Sequence, residues 1–263
     1  MRLYWELVKL SSRRHLTYRA ATLAGLTTNF FFGLIRVAVF IALYGEQEVV
    51  SDISLQGAIT YTALTQAVIG YLSMFSWYDL MQTVYSGEVA SDLIKPMNYF
   101  TYWLAKDMGR AIVTLLLRGL IFMFMFELVF DLIHPSNLNQ WLGLFAAIIL
   151  SWLISFSWRF LISLSSFWTP NASGILRFSY VLSWFFSGFL MPLRYFPKWV
   201  NQITYLTPFP HTVNSVVEVY LGVIQGPEIL HVLLLQVIWA IVLIVAGQLI
   251  LRSGVRRLVI LGG

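Results

Sequence analysis

The chain has no cysteine, so disulfide staples, thiolate metal ligands and a cysteine nucleophile are excluded together. Charge is scarce as well. Only 11% of the 263 residues are Asp, Glu, Lys or Arg, less than half of the roughly 25% with which a soluble domain covers its surface. No G-x-x-x-x-G-K-[ST] stretch occurs, nor any Gly-Lys pair, so this chain cannot cradle ATP phosphates by a P-loop. G-x-S-x-G and H-E-x-x-H are missing too. Glu228 and His231 form a lone E-x-x-H, which needs a facing set of carboxylates and histidines to hold a metal, and nothing in the sequence supplies that set.

What the chain does have is apolar surface: 59% hydrophobic residues, 16% aromatic residues and a mean hydropathy of +0.75. That composition predicts an all-α polytopic membrane protein, with lipid as most of its solvent. Six apolar runs approach the ~20 residues needed to cross a hydrocarbon core. They cover 20–44, 57–77, 111–130, 141–160, 175–193 and 229–251, and the whole of 1–263 reads as a single transmembrane domain.

The distribution of the net charge of +5 sets topology rather than nucleic-acid binding. Arg2, Lys9, Arg13, Arg14 and Arg19 precede the first run, Lys95, Lys106 and Arg110 lie in 78–110, Arg159 and Arg177 flank the join of runs four and five, and Arg252, Arg256 and Arg257 follow the last. The alternate connections hold only Arg194 and Lys198. By the positive-inside rule both termini are expected in the cytoplasm. The N-terminus is not expected to be a signal peptide, since its charges reach Arg19 and the run that follows is too long for a signal's apolar core. Instead 1–19 predicts an interfacial helix, with Arg2, Glu6, Lys9 and Arg13 on one face and Leu3, Trp5, Leu7, Val8 and Leu10 around the rest.

Between runs five and six, residues 194–228 are too apolar for a solvated loop and too broken, by Pro197, Pro208 and Pro210, for a span. A helical hairpin re-entering the outer leaflet is expected there, its irregular backbone packed against protein.

Ionisable side chains inside spans are functional-site hypotheses by default. Arg36 and Glu127 lie at comparable depths near the outer ends of runs one and three. They are expected to form an internal pair that fixes helix packing, with an Arg36 that meets an anionic headgroup or a cargo carboxylate as the functional alternative, and snorkelling or a subunit contact as the others. Arg118 is expected to snorkel to the cytoplasmic interface. The aromatic groups Phe30-Phe31-Phe32 and Trp184-Phe185-Phe186 are candidates for a cargo surface, or for packing against lipid and neighbouring helices.

The longest polar-rich interruption is "SGEVASDLIKPMNYFTYWLAKDMGRA" after the second run. With the six spans, it resembles the permease subunit of an ATP-binding cassette exporter of the type 2 class. Gly87, Glu88, Asp92, Leu93, Lys95 and Pro96 match a G-E-[hydrophobic]-x-x-D-L-x-[KR]-P segment of bacterial permeases in that class. The resemblance implies that this segment is the coupling helix seated in a groove of a separate ATPase, and that 1–19 is the connecting helix. The residues suit the role: Glu88, Asp92 and Lys95 offer ion-pair partners, Val89, Leu93 and Ile94 an apolar seat, and Pro96 ends the helix. Residues 97–110 are expected to return the chain to the membrane as an aromatic interfacial helix.

By this resemblance the chain is no enzyme itself and binds no cofactor; ATP and Mg²⁺ sit on partner ATPase subunits. A second permease chain, identical or related, pairs with it in the bacterial inner membrane, and an amphipathic cargo (lipid, glycolipid, hydrophobic peptide or antibiotic) moves by alternating access. An intramembrane lipid-modifying enzyme and a secondary transporter are the alternatives. The first lacks a recognisable acid/base set and the second an internal repeat.

Overall fold

Short polar side chains start three of the helices. Ser54 Oγ accepts from Gly57 N at 3.0 Å, Asn98 Oδ1 from Thr101 N at 3.1 Å and Asn137 Oδ1 from Gln140 N at 2.9 Å, each satisfying a first-turn donor. The computed structural model describes residues 2–75, 77–169 and 171–257; Ser76, at the tail of the second expected span, lies outside them. The helices are α1 (Arg2–Thr17), α2 (Arg19–Tyr44), α3 (Leu55–Leu72), α4 (Asp79–Tyr85), α5 (Val89–Leu93), α6 (Tyr99–Glu127), α7 (Leu138–Phe167), α8 (Ser173–Phe186), α9 (Lys198–Tyr205), α10 (Asn214–Tyr220) and α11 (Pro227–Val255). A two-residue antiparallel ladder, Val49–Val50 with Ile53–Ser54, turns the chain between α2 and α3.

Four of these, α2, α6, α7 and α11, are long and apolar enough to cross a membrane. Helix α3 is shorter, more polar and lies at the centre of the bundle: Thr60, Thr62, Thr65 and Gln66 are all buried on it. Its threonines are satisfied along the helix, as in Thr62 Oγ1 to Ala58 O at 3.0 Å and Thr65 Oγ1 to Thr62 O at 2.9 Å. Helix α2 buries a stripe of Leu26, Gly33, Val37, Phe40 and Tyr44 and leaves Leu23, Phe31, Phe32, Val39 and Leu43 exposed. Helices α7 and α11 meet through small residues, with Gly143 against Ile229 and Gly247 against Phe160, the close approach that suits helix pairs in lipid.

Two expectations are corrected. The helix of the third run does not begin at Ala111, and no separate helix covers 97–110: α6 runs unbroken from Tyr99, passing through a π-helical segment at Leu115–Leu120. At 1.5 Å per residue it is about 43 Å long, more than the ~30 Å hydrocarbon core. The fifth run yields only the 14 residues of α8 and stops at Phe186, because Gly188 adopts φ +81°.

Two short helices, α9 and α10, lie within 194–228, and every residue of α10 is buried. Side chains from the long helices satisfy its backbone. Gln236 Nε2 donates to the His211 carbonyl in the turn before the helix at 2.8 Å, and at its C-terminal end Gln140 Nε2 donates to Val219 O at 2.8 Å and Tyr220 O at 2.9 Å. Burial of so short a helix is tolerable because these C-terminal carbonyls have partners.

Helix α1 docks on α6 instead of resting only on the membrane surface. Ser11 Oγ donates to Lys106 O at 2.6 Å and Ser12 Oγ to Gly109 O at 3.2 Å, with Val8 buried beside them. Its outward side carries Arg2, Lys9 and Arg13 along the middle, with Leu3 and Leu10 exposed on one flank and Trp5 and Leu16 on the other.

Candidate functional site

The sharpest electrostatic feature sits where α6, α7 and the end of α3 converge. Asp107 of α6 is buried and accepts four hydrogen bonds. Its Oδ1 receives Arg110 Nε at 2.9 Å and Arg159 Nη1 at 3.1 Å; its Oδ2 receives Arg159 Nη2 at 3.0 Å and Trp152 Nε1 at 2.8 Å. Arg110 then donates to the carbonyls of Gly70 at 2.7 Å and Tyr71 at 2.8 Å, the negative end of α3. One carboxylate thus holds two buried guanidinium groups, and one of these also caps a third helix. The remaining positive charge is spread over the α3 carbonyls and the Trp77 ring, whose centroid lies 5.2 Å from Arg159 Cζ.

Trp77 joins this cluster to the segment that follows α3. Its ring meets Trp103 at 5.6 Å and Phe156 at 5.9 Å, and its carbonyl accepts from Tyr180 Oη of α8 at 3.0 Å. Helices α4 and α5 fold back on this aromatic body through Leu80 and Val89, both buried in the same core as Tyr99, Phe100 and Phe160. Gly87, at φ +79°, makes the turn between α4 and α5, a conformation open to glycine at little cost.

This packing corrects the expected apolar seat. Val89 is only 1% exposed, and the half-buried Leu93 packs against the same core, so both hold the segment to its own chain. The side chains that stand out are Ile94 at 84% and Tyr85 at 69% exposure, with Ser86, Gly87, Glu88, Lys95 and Pro96 around them. Asp92 is engaged internally with Lys95 at 2.5 Å, and its carboxylate holds the Lys95 ammonium above its ordinary range. Glu88 remains as the exposed acid of the tip.

Near the other end of the bundle, Arg36 and Glu127 do not pair. Arg36 Nη1 donates to Thr65 Oγ1 at 3.1 Å, its Nη2 to the carbonyls of Phe189 and Leu190, and its guanidinium lies 5.1 Å from the Phe189 ring centroid. Glu127 meets His134 Nε2 at 3.2 Å. Matching depth along two helices does not make two side chains face each other, and the carbonyls freed where α8 ends outcompete the carboxylate for Arg36.

The aromatic candidates divide. Phe30 packs on Phe122 and Phe126 at ring separations of 6.4 and 5.6 Å, whereas Phe31 is exposed. Trp184 Nε1 donates to Met74 O at 2.5 Å, tying α8 to the end of α3, and Phe185 lies half out against Phe196 at 5.2 Å. Arg36 opens onto a groove of about 590 Å³ between α2, α3 and the end of α8, lined by Asn29, Phe32, Gln66, Phe75 and Phe189 among others. Of the two aromatic groups, Phe32 reaches this space, where Phe75 and Phe189 join it.

The Asp107 cluster was not expected from the sequence. Its only local signal is the i, i+3 spacing of Asp107 and Arg110, since Arg159 lies 52 residues away.

Among known proteins, the sequence model of the family described as "ABC-2 family transporter protein" matches residues 30–262. No curated protein and no solved structure matches the chain.

Proposed function

Because the chain belongs to the ABC-2 family of transporter proteins, as a membrane permease of that family, we propose that it is one permease subunit of an ATP-driven exporter of amphipathic cargo. In this reading α3 and α8 complete six spans with α2, α6, α7 and α11, α8 being extended by the chain up to Leu193. Helices α9 and α10 form the re-entrant hairpin on the outer side, and both termini lie in the cytoplasm of a bacterial cell. A second permease, identical or related, stands opposite. ATP and Mg²⁺ belong to separate ATPase subunits.

The observation that carries this reading is the tip formed by Tyr85, Glu88 and Ile94, exposed on a segment whose root is buried. An exposed isoleucine and tyrosine flanked by an acid suit a partner surface with an apolar pocket and a basic rim. The root is built to pass a push onward. Displacement of α4 and α5 moves Trp77, and Trp77 is packed on Arg159 and tied to α8. Arg159 is bound to Asp107, and Asp107 through Arg110 to the end of α3. Closure of two ATPase subunits on ATP thereby tilts α3 and α8, the helices that border the Arg36 groove, and opens the path alternately to the two sides.

The test is co-purification of ATP-binding cassette subunits with the protein from its native membranes. Ile94→Glu and Tyr85→Glu each place a charge in the docking pocket and are expected to reduce capture by about tenfold or more, as loss of a hot-spot side chain does, without changing thermal stability. Val89→Glu should instead destabilise the permease itself. Full ATPase capture by the Ile94→Glu, Tyr85→Glu double variant would remove the docking assignment.

A further inference from the structure

The groove beside Arg36 runs inward to a second arginine. Arg118, in the π-helical segment of α6, lays its guanidinium across Gly25 of α2: a Cβ at position 25 would fall 1.2 Å from Arg118 Nη2 and 2.3 Å from its Cζ. Glycine there is the space in which the charge sits. Arg118 Nε is buried with no hydrogen-bond partner among the described residues, as is Arg159 Nε, but Arg159, Arg110 and Arg36 each donate from their other guanidinium nitrogens to a carboxylate or to carbonyls. Arg118 also lines a second cavity of about 110 Å³ on the cytoplasmic side, with His15, Tyr18 and Thr114. It is the residue common to that cavity and to the groove.

Gly25 and Arg36 are about 16 Å apart along α2 at 1.5 Å per residue, so the two cations mark two depths of one groove. Arg36, with Nη1 and Nη2 engaged, keeps Nε–H and one Nη1–H. Asn29 and Gln66 line the stretch between, and no acidic side chain is present on the groove wall. The lip is apolar and open, with Phe32, Phe75 and Leu190 all exposed. A cation at intramembrane depth without a counter-ion is costly, and a guanidinium recognises phosphate or carboxylate with paired donors.

We propose that this groove binds the anionic headgroup, phosphate or carboxylate, of an amphipathic cargo. Arg118 takes the headgroup on the cytoplasmic side and Arg36 receives it nearer the outer end, while the apolar part of the cargo rests on Phe32, Phe75 and Leu190. The assignment names the cargo class for the permease reading above and rests on it.

Calorimetric titration of the purified protein in uncharged maltoside detergent tests this with three probes: dodecyl phosphate, dodecyl phosphocholine and inorganic phosphate. Dodecyl phosphate is expected to saturate, with the other two at least about tenfold weaker. Arg118→Gln should weaken dodecyl phosphate by about tenfold, the value of one charge-assisted contact, and Arg118→Lys should keep most of the affinity. Gly25→Ala, which displaces the guanidinium without touching its charge, should behave like Arg118→Gln. Unchanged binding in both Arg118→Gln and Gly25→Ala overturns the proposal, as does equal binding of phosphocholine or of inorganic phosphate. The titration needs no ATPase. A flat titration with ATPase capture intact rejects the anion site alone, and absent capture with saturable, Arg118-dependent binding rejects the docking tip alone.

Discussion

Asp107→Ala is expected to cost about 3–5 kcal/mol of stability, because removing one partner of a buried ion pair leaves the other charge uncompensated. Here two guanidinium groups lose their anion, since Arg110 and Arg159 both donate to this carboxylate. Trp152 loses its acceptor as well. Thermal unfolding of the detergent-solubilised protein is the measurement, read as a fall in midpoint together with lower yield from membranes. Asp107→Asn keeps the volume but not the charge, and belongs between wild type and alanine. The double variant Asp107→Leu, Arg159→Met should recover part of the loss, because an apolar replacement of a buried pair is often neutral or better. Even where it folds, it should uncouple, since α6 and α7 would no longer be fastened to Trp77 by charge. A full-strength midpoint in Asp107→Ala would show that the cluster is not a structural joint.

The second large effect is expected at Gly109. A Cβ there would lie 2.4 Å from Val8 O and 3.0 Å from Ser12 N, both backbone atoms of α1, so no side-chain rotation relieves it. Gly109→Leu should therefore lift α1 off α6. The loss comprises the Ser11 and Ser12 hydrogen bonds, each worth about 0.5–1.5 kcal/mol, plus about 1–3 kcal/mol of overpacking. The expected signature is faster proteolysis between α1 and α2, near Tyr18, with the midpoint of the remaining bundle little changed. Equal protease resistance in Gly109→Leu and wild type would contradict the docking. Ser11→Ala alone should produce only a small part of the effect.

How far the sequence reveals these features depends on whether a feature is local. Helices α2, α7 and α11 form over the apolar runs 20–44, 141–160 and 229–251, because length and hydropathy belong to the segment itself, and α7 continues past its run to Phe167. The start of α6 is missed for a physical reason: Lys106, Asp107 and Arg110 read as the polar edge of a span, yet Asp107 is paired inside the bundle with Arg110 and with Arg159 of α7. Helix α8 is overestimated because the residues after Phe186 remain apolar while Gly188 bends the backbone away.

The segment of α4 and α5 reads from the sequence as a break between apolar runs, since Gly87 and Pro96 punctuate it. Its outward face cannot be read there, because which of Val89 and Ile94 is exposed depends on Leu80, Trp103 and Phe160, brought there by the fold. The Arg36–Glu127 expectation failed in the same way. Spacing along a helix gives depth, but the partner is chosen by azimuth around it, and for Arg36 the partners are carbonyls more than 150 residues away.

Helix α6 has one more consequence. Unbroken from Tyr99 beside the docking segment to Glu127 at the far side, it is a lever about 43 Å long, so a tilt of about 10° at one end displaces the other by about 7 Å. The π-helical segment Leu115–Leu120 sets a compliant joint partway along that arm. Arg118 sits on the joint itself, so in the permease reading proposed above a swing of this arm would also turn that charge.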